Sequence, residues 1–264
     1  MHERSFDRDR LKGIVFDLDG TLYDQDTLRR AMLLRLARAH AWRPLHGLRT
    51  LRVLSAYRKA QEHLRESTTL HSEPVNLARA QIRLACERTQ AEASFVEECV
   101  TRWMEQAPLP LMARSLHPGV LEFLHACKSR GLRLGVLSDY PADAKLEALG
   151  LAGFFEVVLA AQSAEVGAFK PHPRGLLMVM QRLQISASEC LYVGDRAEVD
   201  AAVAVAAGVV CAIMTRGVDA RKTRPWMQVA GYPRLHEIVL GEKHRLNRPS
   251  TSAERVALPG QFTM

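Results

Sequence analysis

Nowhere does this 264-residue chain hold an apolar run long enough to span a membrane, and residues 1–10 are dense in charge without the apolar stretch of a secretory signal. A membrane-spanning protein is set aside and a cytoplasmic one expected. Cysteine is sparse and unpatterned. Cys86, Cys99, Cys127, Cys190 and Cys211 include no C-x-x-C, and an odd count of five does not suit a secreted disulfide framework. Reduced, mostly buried thiols are expected. Also lacking are a recognition helix, a zinc-finger spacing and an aromatic-stacking motif, aromatics being only 6% of the chain. The formal charge of +7 is spread over Arg29, Arg30, Arg35, Arg38, Arg49 and Arg52 and, later, Arg221, Lys222, Arg224, Lys243, Arg245 and Arg248, with acidic residues between them. Nucleic-acid binding is therefore not expected; the excess suits attraction of a small anionic substrate, but solubility alone is the favoured reading. Nothing in the sequence sets an oligomeric state.

What is present is enough apolar content, 47%, for a sizeable core in one or two domains. Short apolar runs at residues 14–18, 132–137, 155–160, 190–193 and 209–214 alternate with helical patterns at 119–129, 142–148, 174–183 and 199–206. That alternation predicts an α/β fold, a Rossmann-like doubly wound parallel sheet with helices on both faces. Pro118-Gly119 opens the first of these helices and Gly131 follows its end, the usual punctuation of helix termini. Residues 26–115 read differently. Apolar residues recur at three and four spacing over 27–41, 48–65, 75–89 and 93–106, which predicts a four-helix insertion. The expected division is thus an α/β core over 11–25 and 116–240, a helical cap over 26–115, and a polar, basic tail over 241–264, broken by Pro249 and Pro259 and expected to be poorly ordered.

Four short motifs fall at or just beyond the ends of predicted strands. They are Asp17-Leu18-Asp19-Gly20-Thr21-Leu22, Ser138-Asp139, Lys170-Pro171, and Gly194-Asp195 with Asp200 five residues on. An open parallel sheet gathers such positions in the crevice along its carboxyl edge. Two carboxyls, a lysine, small hydroxyls and further carboxylates in one place can supply a nucleophile, a proton carrier, phosphate donors and a hard-cation site. A helix cap would account for one aspartate but not for the whole first string.

The ordered set resembles the haloacid dehalogenase superfamily, and its phosphatase branch with a helical cap in particular, over residues 14–238. The resemblance implies that Asp17 is the nucleophile that becomes an aspartyl-phosphate, and that Asp19 protonates the leaving oxygen and then deprotonates water. Gly20, Thr21, Ser138, Asp139 and Lys170 would bind the phosphoryl group, Lys170 also holding Asp17 ionised. Mg2+ would be held by Asp17 and Asp195 and by the backbone carbonyl of Asp19, with Asp200 in or near its coordination. Dehalogenases and phosphonatases of the superfamily lack a carboxyl at position 19, and Lys59, the one lysine of the cap, has no Schiff-base context. The implied function is a Mg2+-dependent phosphatase acting on a small phosphorylated metabolite. A phosphomutase on the same core, or a non-catalytic regulatory protein of the same fold, is the alternative.

Asp139 stands where many relatives carry Asn, which leaves its role open. Arg196 and Glu198 are expected to face solvent or pair locally. Trp42, Trp103, Met32 and Met104 are expected to pack the helical insertion. His117 and His172 are expected to be surface loop residues, the site mouth being the alternative, and Tyr23 and Asp24 to touch the leaving group or serve the hinge.

Overall fold

The computed structural model describes residues 6–68, 76–217 and 224–241. Its centre is β1 (Gly13–Phe16), which is buried along its whole length. β1 pairs in parallel with β2 (Arg133–Ser138) on one side and with β4 (Cys190–Gly194) on the other. β3 (Val157–Ala160), β5 (Val210–Met214) and β6 (Met227–Val229) complete a six-stranded parallel sheet of order β3-β2-β1-β4-β5-β6. The crossovers change direction at β1, so the carboxyl end of β1 is where the crevice opens.

The strands carry near-continuous apolar runs because both faces are covered. Successive side chains point to opposite faces. Ile14 and Phe16 join a cluster with Phe123, Leu124 and Leu235, contributed by α6 (Val120–Ser129) and α10 (Tyr232–Leu240). Val15 joins Val179 and Val203 from α8 (Arg174–Arg182) and α9 (Ala202–Ala207) on the opposite face. Phe16 sits edge-on to Phe123 and Phe155, with ring centroids 6.3 and 6.0 Å away. The strand that delivers Asp17 is therefore anchored immediately before that residue.

Between β1 and β2 the chain forms α1 (Gln25–Ala39), α2 (Pro44–Thr68), α3 (Leu77–Thr89) and α4 (Ala93–Val100). α4 runs into a π-helical turn (Thr101–Gln106), followed by the short α5 (Leu109–Met112). Asp24 caps α1, its carboxylate accepting from the amides of Asp26 and Thr27. Val53, Tyr57, Ala85, Val96 and Cys99 give this segment a small core of its own.

The five strands expected from the sequence form within one or two residues of their expected bounds. The first stops at Phe16 rather than residue 18, because Asp17 and Leu18 already belong to the loop that carries the site. β6 and α10 were not anticipated, one being only three residues long. The expected helix at 199–206 is divided into a π-helical turn (Ala197–Ala201) and α9. Of the residues expected to pack the insertion, Trp103 is buried, whereas Trp42 is 96% exposed at the turn between α1 and α2, where no second layer covers it. All but the first residue of the expected tail, and residues Arg221 and Lys222, lie outside the described residues. Among the described residues no helix is long and apolar enough to cross a membrane. The five cysteines are free, four of them buried.

α7 (Asp143–Ala148) lies just beyond β2 and places Lys145 at the crevice. Phe16→Ala should destabilise the protein by about 3–5 kcal/mol, the range for a buried phenylalanine whose cavity cannot collapse. Urea unfolding measures it, and a loss below about 1 kcal/mol would mean that the anchoring of β1 lies elsewhere.

Candidate active site

The first motif leaves β1 with the Asp17 amide still bonded to the Val193 carbonyl at 2.8 Å, so the sheet ladder fixes the backbone up to that residue. Asp17 is buried. One carboxylate oxygen accepts from Thr21 Oγ1 at 3.0 Å, and the other from Lys170 Nζ at 2.5 Å. Lys170 also donates to Asp200 Oδ1 at 2.8 Å, which Tyr192 OH reaches at 3.0 Å. The remaining Asp200 oxygen accepts from the amides of Asp195 and Arg196 at 3.2 and 3.0 Å. Residues 17, 170, 195 and 200, distant in sequence, thus form one cluster.

Gly20 is needed in two ways. Its φ is +96°, and a Cβ there would lie 2.2 Å from Asp195 Oδ2. Gly194 is similarly confined, since a Cβ would lie 2.4 Å from that of Asp200. His117 Nε2 sits 3.1 Å from the Gly20 carbonyl. It thereby joins the nucleophile loop to the chain returning from the helical insertion, rather than lying free at the surface.

The cluster is short of positive charge. Burial works against the charge of Lys170, but Asp17 and then Asp200 outweigh it and raise its pKa well above the ordinary value. Asp200 is held ionised, its pKa lowered because Lys170 and the surrounding hydrogen bonds overcome the cost of burial. For Asp17 burial dominates and raises the pKa well above normal, Lys170 opposing and Asp200 and Asp195 adding to the rise. Asp195 is pushed up to about 7, by burial first and then by Asp200. Three carboxylates share one ammonium.

Oxygens of Asp17, Asp195 and Asp200 all lie within 4.8 Å of one another, and Asp195 Oδ1 is buried without a hydrogen-bond partner. An all-oxygen set with an unsatisfied acceptor and surplus negative charge fits a hard divalent cation.

Asp19 stands at the outer side of this cluster. Lys145 Nζ donates to both of its oxygens, at 2.7 and 3.0 Å, and Tyr23 OH donates at 2.5 Å. Burial would raise the Asp19 pKa, yet Lys145 and these hydrogen bonds lower it, while the buried Tyr23 phenol is pushed well up. Ser138 ends β2, fully buried, and its hydroxyl accepts from the Tyr140 amide at 3.3 Å. With Phe16 paired to Val136, Ser138 lies level with the start of the nucleophile loop.

Asp139 turns to the helical insertion. One oxygen accepts from Gln61 Nε2 at 3.0 Å and Arg65 Nη2 at 2.9 Å. Arg65 also donates to the Lys170 carbonyl at 2.6 Å. Gln61 accepts from Tyr140 OH at 2.8 Å, and Gln162 donates to Tyr57 OH at 3.0 Å and Gln81 Oε1 at 2.8 Å. α2 and α3 are therefore closed against the core by a polar seam beside the second and third motifs. Arg196 pairs with Glu198 at 3.0 Å and approaches Glu62 of α2 at 3.7 Å, the local pairing expected of it. His172 accepts from the Arg174 amide within its own loop.

Lys145, Tyr192, Gln61 and Arg65 were not singled out in the sequence. Lys145 falls seven residues after Ser138 in a short amphipathic helix, and no spacing rule distinguishes it from a surface lysine.

Comparison with known proteins supplies the context. The family described as haloacid dehalogenase-like hydrolase matches residues 11–208. A glyceraldehyde 3-phosphate phosphatase of Methanopyrus kandleri is 30% identical over 213 residues, covering 78% of this chain and 85% of that protein. A phosphoglycolate phosphatase of Rhodospirillum rubrum is 31% identical over 222 residues, covering 78% and 80%. Among solved structures, the putative HAD-hydrolase YfnB of Bacillus subtilis, bound to magnesium, superposes with a TM-score of 0.64 at 18% identity, over 88% of this chain and 99% of that one. A HAD phosphatase of Thermococcus onnurineus superposes with a TM-score of 0.60 at 21% identity, over 89% and 100%. Matched in sequence over most of its length and in overall fold, the chain belongs to the haloacid dehalogenase-like hydrolases.

Proposed function

We propose that this hydrolase is a Mg2+-dependent phosphatase that cleaves a small organic phosphate monoester through an aspartyl-phosphate on Asp17. The observation that carries the reading is the pair of carboxylates two residues apart with separate environments. Asp17 is buried against Lys170, and Asp19 is held apart at the outer side by Lys145 and Tyr23. Two carboxyls in different surroundings can take different roles in one reaction.

An Asp17 oxygen attacks phosphorus, and the bond from phosphorus to the leaving oxygen breaks. Thr21 and Lys170 fix the attacking carboxylate, and Lys170 neutralises charge gathering on the phosphoryl oxygens. Asp19 gives a proton to the leaving oxygen and afterwards takes one from the water that cleaves the acyl phosphate. The bond to Lys145 favours the ionised form, which the second step uses. A substrate phosphate brought beside Asp19 repels that charge and favours the protonated form, which the first step uses. Asp17, Asp195 and Asp200, with the Asp19 backbone carbonyl, would hold Mg2+, which when bound offsets the negative charge shared by nucleophile and phosphate. Ser138 and the Asp139 amide complete the phosphate cradle, while the Asp139 carboxylate serves the seam to α2. The helical insertion over 26–115 acts as a cap that shields the reaction from water. Relatives named for phosphoglycolate and glyceraldehyde 3-phosphate, both small esters, support a substrate of that size.

Asp17→Asn should fold normally and fall below about 1% of wild-type turnover, because it loses the nucleophile with little change in volume. Activity well above that level, with an unchanged circular dichroism spectrum, would remove Asp17 from the role. Asp19→Asn should slow alkyl phosphates by about 10²–10⁴-fold and p-nitrophenyl phosphate by much less, since a good leaving group needs little acid help. Equal losses on the two substrates would exclude Asp19 as the acid.

Stability should report the cation independently of turnover. The native state keeps a proton on Asp195 that the unfolded state releases from about pH 4 upward, and the native group gives it up only near about 7. Stability of the metal-free protein is therefore full below the unfolded value and is lost as pH rises through the folded one. The Tm of an EDTA-treated sample should fall between about pH 5 and about pH 8, and Mg2+ should raise it more at the upper pH. A magnesium effect that is absent, or larger at low pH, would contradict the assignment of the carboxylate cluster.

A further inference from the structure

The nucleophile and the lysine that faces it are held by different parts of the molecule. Asp17 follows β1, and its amide is still in the sheet ladder through the Val193 carbonyl. Lys170 lies in the connection between β3 and α8, and among the described residues no backbone hydrogen bond ties it to the sheet. Its Nζ is bonded to Asp17 and Asp200, the carboxylates that would attack phosphorus and hold Mg2+. A lysine stem is long and flexible. While those carboxylates change partners, the ammonium keeps its place only if its backbone end is fixed by something else.

The helical insertion supplies that fixation. Arg65, buried near the end of α2, donates through Nη1 to the Lys170 carbonyl at 2.6 Å. Leu77 of α3, with Leu64 of α2, shares one apolar cluster with Ala161 and with Phe169, the residue before the lysine. The carbonyl is not needed to satisfy the guanidinium, which already has Asp139 at 2.9 Å and Glu62 at 3.1 Å. Nor does it balance charge, since a carbonyl carries none. What the bond adds is a fixed point on the main chain from which the lysine stem starts. The same guanidinium ties the backbone of the third motif to the side chain that follows Ser138 in the second.

We propose that Arg65 is a positioning residue for Lys170, so that seating of the helical insertion on the core sets the place of the ammonium that neutralises the phosphoryl group. The assignment rests on the phosphatase reading, which gives Lys170 that task. Arg65 acts through the lysine backbone and not on the phosphoryl group itself. With the insertion lifted, Lys170 loses this anchor, and phosphoryl transfer is confined to the seated form.

The test uses the full chain with p-nitrophenyl phosphate at saturating Mg2+. Arg65→Met should lower kcat about 10–100-fold and change KM by less than about threefold, because the lost effect lies in the transition state. Inhibition by orthovanadate, which takes the five-coordinate shape of that state, should weaken about as much as kcat/KM falls. Arg65→Met also strands the Asp139 carboxylate, which could by itself unsettle the fold. Adding Asp139→Asn removes that charge and keeps the backbone amide. The double variant should recover most of the lost Tm yet stay at least about tenfold down in kcat. Asp139→Asn alone, with Arg65 still on the Lys170 carbonyl, should lose less kcat than Arg65→Met. The proposal is overturned if kcat returns with Tm in the double variant, if Asp139→Asn costs as much kcat as Arg65→Met, or if vanadate inhibition is unchanged. A wild type that hydrolyses no phosphate ester overturns the phosphatase reading as well.

Discussion

Asp17 and Asp200 meet the single ammonium of Lys170, with the Asp195 carboxylate beside them, and such a crowd of like charge would not persist without strong constraint around it. The constraint comes from the sheet. β1 and β4 are neighbours in the middle of the order, so the residues just past their ends cannot move apart without breaking the ladder that runs up to the Asp17 amide. Gly20 and Gly194 allow the two loops to approach within a distance that any side chain would prevent. The stress of like charge is thus held by backbone rather than by side-chain packing, and it is relieved by whatever cation or phosphoryl group the site receives.

The helical insertion is joined to this core by contacts of a different kind. Its interior is a modest apolar cluster around Val53, Tyr57 and Val96, while its contact with the core beside the catalytic motifs combines hydrogen bonds of Gln61, Gln81, Arg65 and Tyr57 with a small apolar contact of Leu64 and Leu77 on Ala161 and Phe169. Polar seams exchange readily with water, whereas apolar ones resist opening. The hydrogen-bonded part of the boundary suits a segment that parts from the core for substrate to enter and product to leave, and the Leu77 contact on Phe169 favours its return.

Much of the core could be read from residue order alone, because a buried parallel sheet prints near-continuous apolar runs and because Asp17, Asp19, Lys170 and Asp195 occur in recognisable strings. β6 escaped notice because three residues, Met227–Val229, carry too little periodicity to register. Lys145 and Arg65 escaped for another reason. Each is an unremarkable basic residue on a helix, and its meaning arises only from partners 126 and 74 positions away, Asp19 and Asp139. Trp42 misled in the opposite direction, since helical spacing marks a face without saying whether another element covers it. Local pattern conveys which side of an element is apolar, but not what lies across from it.

The pairing of Asp139 with Arg65 has a bearing on how sequences of this kind diverge. Both side chains are largely enclosed, at 13% and 7% exposure, and the guanidinium simultaneously holds the carbonyl of Lys170. Loss of Arg65 leaves the enclosed Asp139 carboxylate with Gln61 alone, at a cost of about 3–5 kcal/mol, whereas loss of Asp139 leaves Arg65 still paired with Glu62 at 3.1 Å and bonded to the Lys170 carbonyl. Asp139 therefore depends on Arg65 more than Arg65 depends on it. Aspartate after the β2 serine should be inherited together with arginine near the end of the second helix. Two letters separated by a whole helical segment would then serve as a lineage marker within the family, recoverable from an alignment with no coordinates in hand.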